Sequence, residues 1–322
     1  AGNVVFVHQA ELCAKLWPRV WSVLHEHLLQ RPRTCEPNVL LSAETLTMRY
    51  EQQAESLHQV RCELVNRDEG SEALFEFCLP GSDSGEPARL RLIRNRQITP
   101  PTTAWELYSG DTALPCSLAG PWLSSLERLG AGSTFSGKIW AEQGNGDWTA
   151  DLAGTFHDVQ LEQLVTSQFP HKLSGQGDVT FRRACIHRGR IVELAGELQA
   201  HDGVVSRSLL VAARDELLLS LRDPIDDSTL LRYDRLGVAF TLNSQGMVLV
   251  GMNQSDETMM SDAHGPLLSG DGQVLSPVAF LRLLVPQNEV HVPATQETAS
   301  LVRMLPLPEA GSKSYGTVRL LD

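Results

Sequence analysis

A mainly β fold is what this sequence predicts: an antiparallel sheet with one apolar and one solvated face, and a few short helices to cover it. Three observations carry that expectation. Apolar and polar residues alternate with a period of two through most of the chain, as in "VELAGELQA", where Val192, Leu194, Gly196, Leu198 and Ala200 share one parity and Glu193, Glu197, Gln199 and His201 the other. Gly, Pro, Asn and Asp punctuate these runs as turn residues do. Helical spacing is confined to short segments. Clean alternation implies antiparallel strands with one wet face. A closed β-sandwich, with the apolar faces packed on each other, is the alternative architecture.

The first element is expected to be a helix over residues 9–30, "QAELCAKLWPRVWSVLHEHLLQ". Leu12, Leu16, Val20, Leu24 and Leu28 recur at helical spacing, and Trp17 and Trp21 extend the same face. Pro18 has no backbone donor, so a restart is expected there. The helix should pack through Leu16, Trp21, Leu24 and Leu28. Strands follow in "TLTMRY", "EALFEFCL" and "ARLRLIR", with Gly81, Gly85 and Pro87 turning between the last two. Residues 99–134 are rich in Pro, Gly and Ser, which predicts a loop and a short helix over residues 122–129.

Strands resume in "FSGKIWAE", "WTADLAGTFHD", "GQGDVTFRR", "LGVAFTLN" and "GMVLVGM". Short helices are expected in "DVQLEQLVTSQ", residues 205–217, residues 276–285 (started by Ser276 and Pro277) and "ETASLVRML". "LAGTF" and "LAGEL" each place a glycine inside a strand, where it permits close backbone approach. "LSGQGDV" and "LSGDGQV" echo one another as strand entries. The organisation expected is therefore 1–98 (N-terminal helix and first strands), 99–134 (connection with a short helix) and 135–322 (a β-rich region with short helices).

Composition narrows the function. The 322 residues carry a net charge of −12 and no Lys/Arg-rich block, so nothing neutralises nucleic-acid phosphates or attracts an anionic membrane surface. No run of about 18 apolar residues occurs. The chain opens on Ala1 rather than Met, which fits an upstream signal or anchor removed from this sequence. Six cysteines are scattered with no CxxC; Cys62 and Cys78, in neighbouring strands, read better as small buried hydrophobes than as a cross-strand pair. "HEH" (His25–His27) cannot chelate from one helix, because residues two apart diverge by about 200°; two surface histidines are expected. Asp226–Asp227 reads as a solvated turn, and His157–Asp158 and His201–Asp202 as strand ends. There is no GxSxG, HExxH or phosphate-loop order. No catalytic residue, metal or cofactor is expected.

Three stretches carry a resemblance: "GDWTADLAGTFHDVQLEQLV", "KLSGQGDVTFRRACIHRGRIVELAGELQAHDGVVSRSLLVAA" and "YDRLGVAFTLNSQGMVLVG". Over residues 135–251 this texture of glycine-punctuated strands resembles the AsmA-like proteins of Gram-negative envelope biogenesis, which include bridge-like lipid-transfer proteins. The resemblance implies a long curved antiparallel sheet folded like a taco around an apolar groove. It implies a non-enzymatic role in lipid transport or outer-membrane biogenesis in the periplasm or envelope, usually with an N-terminal membrane anchor. Partners would be lipid acyl chains or another envelope protein, with no nucleic acid. The expected groove lining is one continuous surface of Leu152, Phe156, Val179, Phe181, Val192, Leu194, Leu198, Phe240 and Leu242. A structural or protein-interaction β-module, and a hydrolase on a β scaffold, stand as alternatives.

Overall fold

The computed structural model describes residues 3–13, 17–30, 38–50, 53–81, 85–119, 124–164, 171–222, 228–252, 257–283 and 304. Among these residues the fold is mainly β, with 17 strands in an open, mixed sheet and a few short helices. The chain divides into two compact units, Ala1–His157 and Asp158–Asp322.

In the first unit, strand β1 (Asn3–Cys13) runs parallel to β2 (Val39–Tyr50), and helix α1 (Trp17–Leu29) connects them. From β2 the chain meanders antiparallel through β3 (Gln53–Arg67), β4 (Gly70–Cys78), β5 (Ala88–Asn95) and β6 (Thr102–Tyr108). The short β7 (Leu114–Pro115) and then β8 (Thr134–Gly144) and β9 (Asp147–Gln160) complete it. Alternation is what holds these strands in register, because a one-residue slip would turn every apolar side chain to water. The polar face is tied by charge: Arg91 bridges Glu72 at 2.6 Å and Glu106 at 3.2 Å, and Arg89 meets Glu76 at 3.0 Å. These pairs are partly exposed, so they set register more than they stabilise. The apolar face holds the core, where Leu28 of α1 is fully buried against Ala73 and Leu92.

In the second unit β10 (Leu173–His187), β11 (Arg190–Ser206) and β13 (Leu230–Asn243) lie side by side and antiparallel. Strand β13 then divides its pairing. Its later half takes β14 (Gly246–Gly251), which pairs β17 (Asp271–Leu275); Arg235 and Leu236 take β15 (Thr258–Asp262), followed by β16 (Gly265–Ser269) and the short β12 (Ser220–Leu221). Three helices are described: α2 (Leu161–Leu164), α3 (Arg207–Leu217) and α4 (Pro277–Leu283). Ser206 caps α3 by accepting from the Leu209 amide at 3.3 Å, and Leu210, Ala213 and Leu217 bury its inner face beside Val205, Tyr233 and Met259.

Several expectations are corrected. The helix expected over residues 9–30 begins only at Trp17, with Pro18 in its first turn, where no donor is needed. Residues 9–13 belong to β1, because ladder bonds to β2 outweigh a weak helical spacing. Leu28 packs as expected; Leu16 and the side chains of Trp21 and Leu24 lie outside the described residues. The connection 99–134 contains β6, whose Thr103, Trp105 and Leu107 alternate with Ala104, Glu106 and Tyr108 behind two prolines; a 3-10 turn at Ser124–Leu129 stands where a helix was expected. His157–Asp158 and His201–Asp202 do not end their strands. Each aspartate adopts positive φ (56° and 53°) within a strand that continues, and Asp202 lies where the β10–β11 register shifts, between the pairs Ser174–Val204 and Gln176–His201. Cys62 faces Phe75 and Cys78 faces His58, so the two thiols do not join as a cross-strand disulfide. Asp226–Asp227 and most of the "ETASLVRML" segment lie outside the described residues.

The C-cap of α3 offers a stability test. Leu218 is held left-handed at φ 54°, ψ 32°, with its side chain 62% exposed. Left-handed geometry costs an L-residue about 1–2 kcal/mol, part of which glycine recovers. Leu218→Gly should therefore raise unfolding stability by about 0.5–1 kcal/mol in a urea titration; a lower midpoint would contradict the assigned cap.

Candidate apolar face

The register of the first unit lines up side chains across strands. Leu41, Cys62, Phe75, Leu90, Leu107, Ile139 and Leu152 are successive partners from β2 to β9. A second row beside it runs Val39, Leu64, Ala73, Leu92, Trp105, Ala141 and Ala150. The middle of these rows is buried, with Phe75 at 7% and Leu92 at 0%, while Cys62, Leu90, Leu107, Ile139 and Leu152 are only half-buried. At the β1 side Val5 and Leu41 are plainly exposed, at 47% and 44%. Burial raises the Cys62 thiol above its usual pKa, as an apolar setting should.

The second unit repeats the arrangement. Val179, Leu198 and Val238 form one row; Phe181, Gly196, Phe240 and Leu249 form the next. Ala184, Leu194, Leu242 and Met247 form a third. A register shift between Phe181 and Arg183 brings Ala184, rather than Arg183, opposite Leu194. Leu242 is buried, whereas Val179, Phe181, Leu194, Leu198 and Phe240 are half-buried.

The glycines inside strands now have a cause. Gly196 lies between Phe181 and Phe240, whose rings meet edge to face at 6.0 Å, and a Cβ there would sit 2.9 Å from Phe240 Cζ. Gly154 does the same beside Phe135, which packs on Phe156 at 4.9 Å. Gly203 lies under the ring of Tyr233, whose hydroxyl donates to the Ser174 carbonyl at 2.7 Å. The "LAG" echo thus marks places where an aromatic ring from the next strand lies over bare backbone.

Polar groups gather elsewhere. A cavity of about 930 Å3 in the second unit is lined on one side by the exposed Asp178, Gln199, His201 and Arg235, of opposite parity to the apolar rows, and on the other by apolar residues including Leu236, Met252 and Met259. Asp178 accepts from the Asp158 amide at 3.2 Å, and Asp158 accepts from Gln176 at 2.8 Å, so both carboxylates link β9 to β10. Ser208 contacts His171 at 2.8 Å beside the Ser206 cap, and Ser136 contacts His157 at 2.8 Å across β8 and β9. Among the described residues no three His, Cys, Asp or Glu side chains converge as a metal site, and no helix is long and apolar enough to cross a membrane.

Of the lining expected from sequence, Val179, Phe181, Leu194, Leu198, Phe240 and Leu242 occupy adjoining rows in the second unit, while Leu152 and Phe156 belong to the first. Val192 is 49% exposed, near the β10–β11 turn. Sequence reasoning missed the first unit's share: Cys62, Phe75, Leu90, Leu107 and Ile139. Leu107 lay in the segment expected to be a connection; the alternation of the others was legible, but the alignment of all of them needed the register. What fold and face define is an open-sheet β protein with partly covered apolar rows. Comparison with protein-family models, with characterised proteins and with solved structures found no match.

Two measurements probe this packing. Gly196→Val would push a branched side chain into the Thr180 carbonyl (2.2 Å from a built Cβ) and the Phe240 ring, and should cost about 1–3 kcal/mol in urea unfolding; an unchanged midpoint would refute the ring-over-glycine contact. Burial, with a smaller contribution from Glu162, pushes the Tyr233 hydroxyl up to about 12. A raised pKa means full stabilisation below the unfolded value near 10, lost as pH rises through the folded one. Tyr233→Phe should cost about 1 kcal/mol at neutral pH, and its deficit against wild type should shrink above about pH 10. A constant deficit up to about pH 12 would show that the phenol is not shielded.

Proposed function

We propose that this chain is a non-enzymatic cell-envelope protein that holds lipid acyl chains on an apolar β face, in lipid transport or outer-membrane biogenesis. The support is one observation: in each unit, side chains aligned across central strands stay only half-buried. In a closed sandwich, a second layer would bury them fully. An acyl chain needs no polar motif, because each buried methylene contributes about 0.8 kcal/mol. A dozen carbons would suffice for tight retention. The AsmA-like resemblance of residues 135–251 points the same way, with the periplasm or envelope of a Gram-negative-type bacterium as location and an upstream anchor as the membrane contact.

A second reading, a protein-interaction module of the envelope, is favoured by β1, where Val5, Phe6 and Val7 are 47%, 70% and 40% exposed. Such a patch suits a partner protein as well as a lipid.

Native mass spectrometry and lipid extraction of the purified protein decide between them. Copurifying lipid is expected, and Phe156→Asp or Leu194→Asp should strongly reduce it while far-UV circular dichroism stays unchanged. Photo-crosslinkable fatty acid should label the row residues; labelling confined to Thr155 or Glu193, of opposite parity, would refute the acyl-chain face. Absence of lipid together with a stoichiometric copurified protein would favour the interaction module.

A further inference from the structure

Among the described side chains, helix α1 packs on the apolar rows of the first unit through Leu28, which sits over Ala73 and Leu92. One turn earlier, His25 sets its ring on Trp105 with centroids 5.5 Å apart, and Trp105 stacks on Trp148 at 4.8 Å. Nε2 of His25 is buried and has no hydrogen-bond partner. The end of the helix is tethered by Arg96, which donates to the Leu28 carbonyl at 2.8 Å and to the Ser71 hydroxyl at 2.9 Å.

The charges that act on the imidazole come from two elements. Arg94 of β5 opposes a second positive charge, and Glu26 of α1 favours it. On β4, Ala73 is uncharged and Glu72, of opposite parity, is committed to Arg91. On β6 the contact is Trp105, and Glu106 is likewise paired with Arg91. Asp147, next to Trp148, is exposed. An imidazolium here would bury an N–H without an acceptor and place positive charge near Arg94; both cost free energy.

We propose that α1 is a pH-released cover: it docks on the apolar rows while His25 is neutral and lifts from Ala73 and Leu92 when His25 is protonated. The sign follows from the geometry. The undocked histidine titrates near 6.5. The docked one is held lower, by burial first and Arg94 second. Docking is therefore at full strength above about pH 6.5 and weakens as pH falls through that value toward the docked one. The cover does not rest on the lipid reading, since it concerns only the helix and the rows beneath it.

Hydrogen exchange with mass spectrometry on the full chain tests this directly, using a peptide spanning residues 17–30 from about pH 8 to about pH 5, corrected for intrinsic rates. Protection of that peptide should fall about tenfold per pH unit inside the window, while peptides from β4 and β5 keep theirs. His25→Phe keeps a ring on Trp105 and removes the proton, so its protection should not vary with pH. His25→Gln serves the same purpose if the phenylalanine does not dock. Wild-type protection that is flat across the range would overturn the proposal. So would a pH-dependent loss that persists in both variants, which would assign the effect to another group such as His27.

Discussion

Cross-strand register is the constraint on which everything else in this protein depends. A strand repeats every two residues, so pairing Cys62 with Phe75 and Phe75 with Leu90 places one apolar row on one face. The same choice sets Arg61, Glu76 and Arg89 opposite one another on the other face. Shifting any pair by one residue would exchange the two faces at once, at a cost of several buried side chains worth about 1.5–3 kcal/mol each. The ion pairs add little energy, but they penalise the wrong alignment.

Within that register the strands approach closely because glycines make room for rings. Phe240 over Gly196 and Tyr233 over Gly203 fill space that two ordinary side chains would contest. Bulges do the complementary work. Beside Asp202 and between Phe181 and Arg183 the β10–β11 ladder takes up an extra residue, which resets the parity of the rest of the strand and keeps its apolar residues together on one face. Ala184 meets Leu194 only because of such a shift.

The apolar rows lack a uniform cover. Helix α1 covers Ala73 and Leu92, Phe75, Leu242 and Met247 are buried within the sheet, and most of the other row side chains sit between burial and solvent. Half-burial is an expensive state for a phenylalanine or leucine unless something apolar visits it, which is why the function proposed is read from the face and not from any polar cluster. The serine–histidine contacts are tied into a helix cap and strand pairing, and the cavity carboxylates hydrogen-bond to one another's strands.

The sequence by itself determined the class of fold and the identity of the apolar faces, because alternation is a local property that needs no knowledge of partners. Leu194 and Leu198 were legible as neighbours on one side of a strand, as were Val179 and Phe181. Helices α3 and α4 were legible too, from the helical spacing after Val205 and from Ser276 as a start signal. Tertiary structure decided which strands meet. It made residues 9–13 part of a strand parallel to β2, since ladder bonds to β2 are worth more than the helical spacing of a few leucines. It drew Trp105 and Leu107 out of a proline-rich segment into the sheet, where β5 and β8 supply partners on both sides. It also took His25, expected at the surface, and set it against Trp105, far along the chain. Contacts of that range depend on loop closure and pairing order, and nothing within a single strand or helix encodes them.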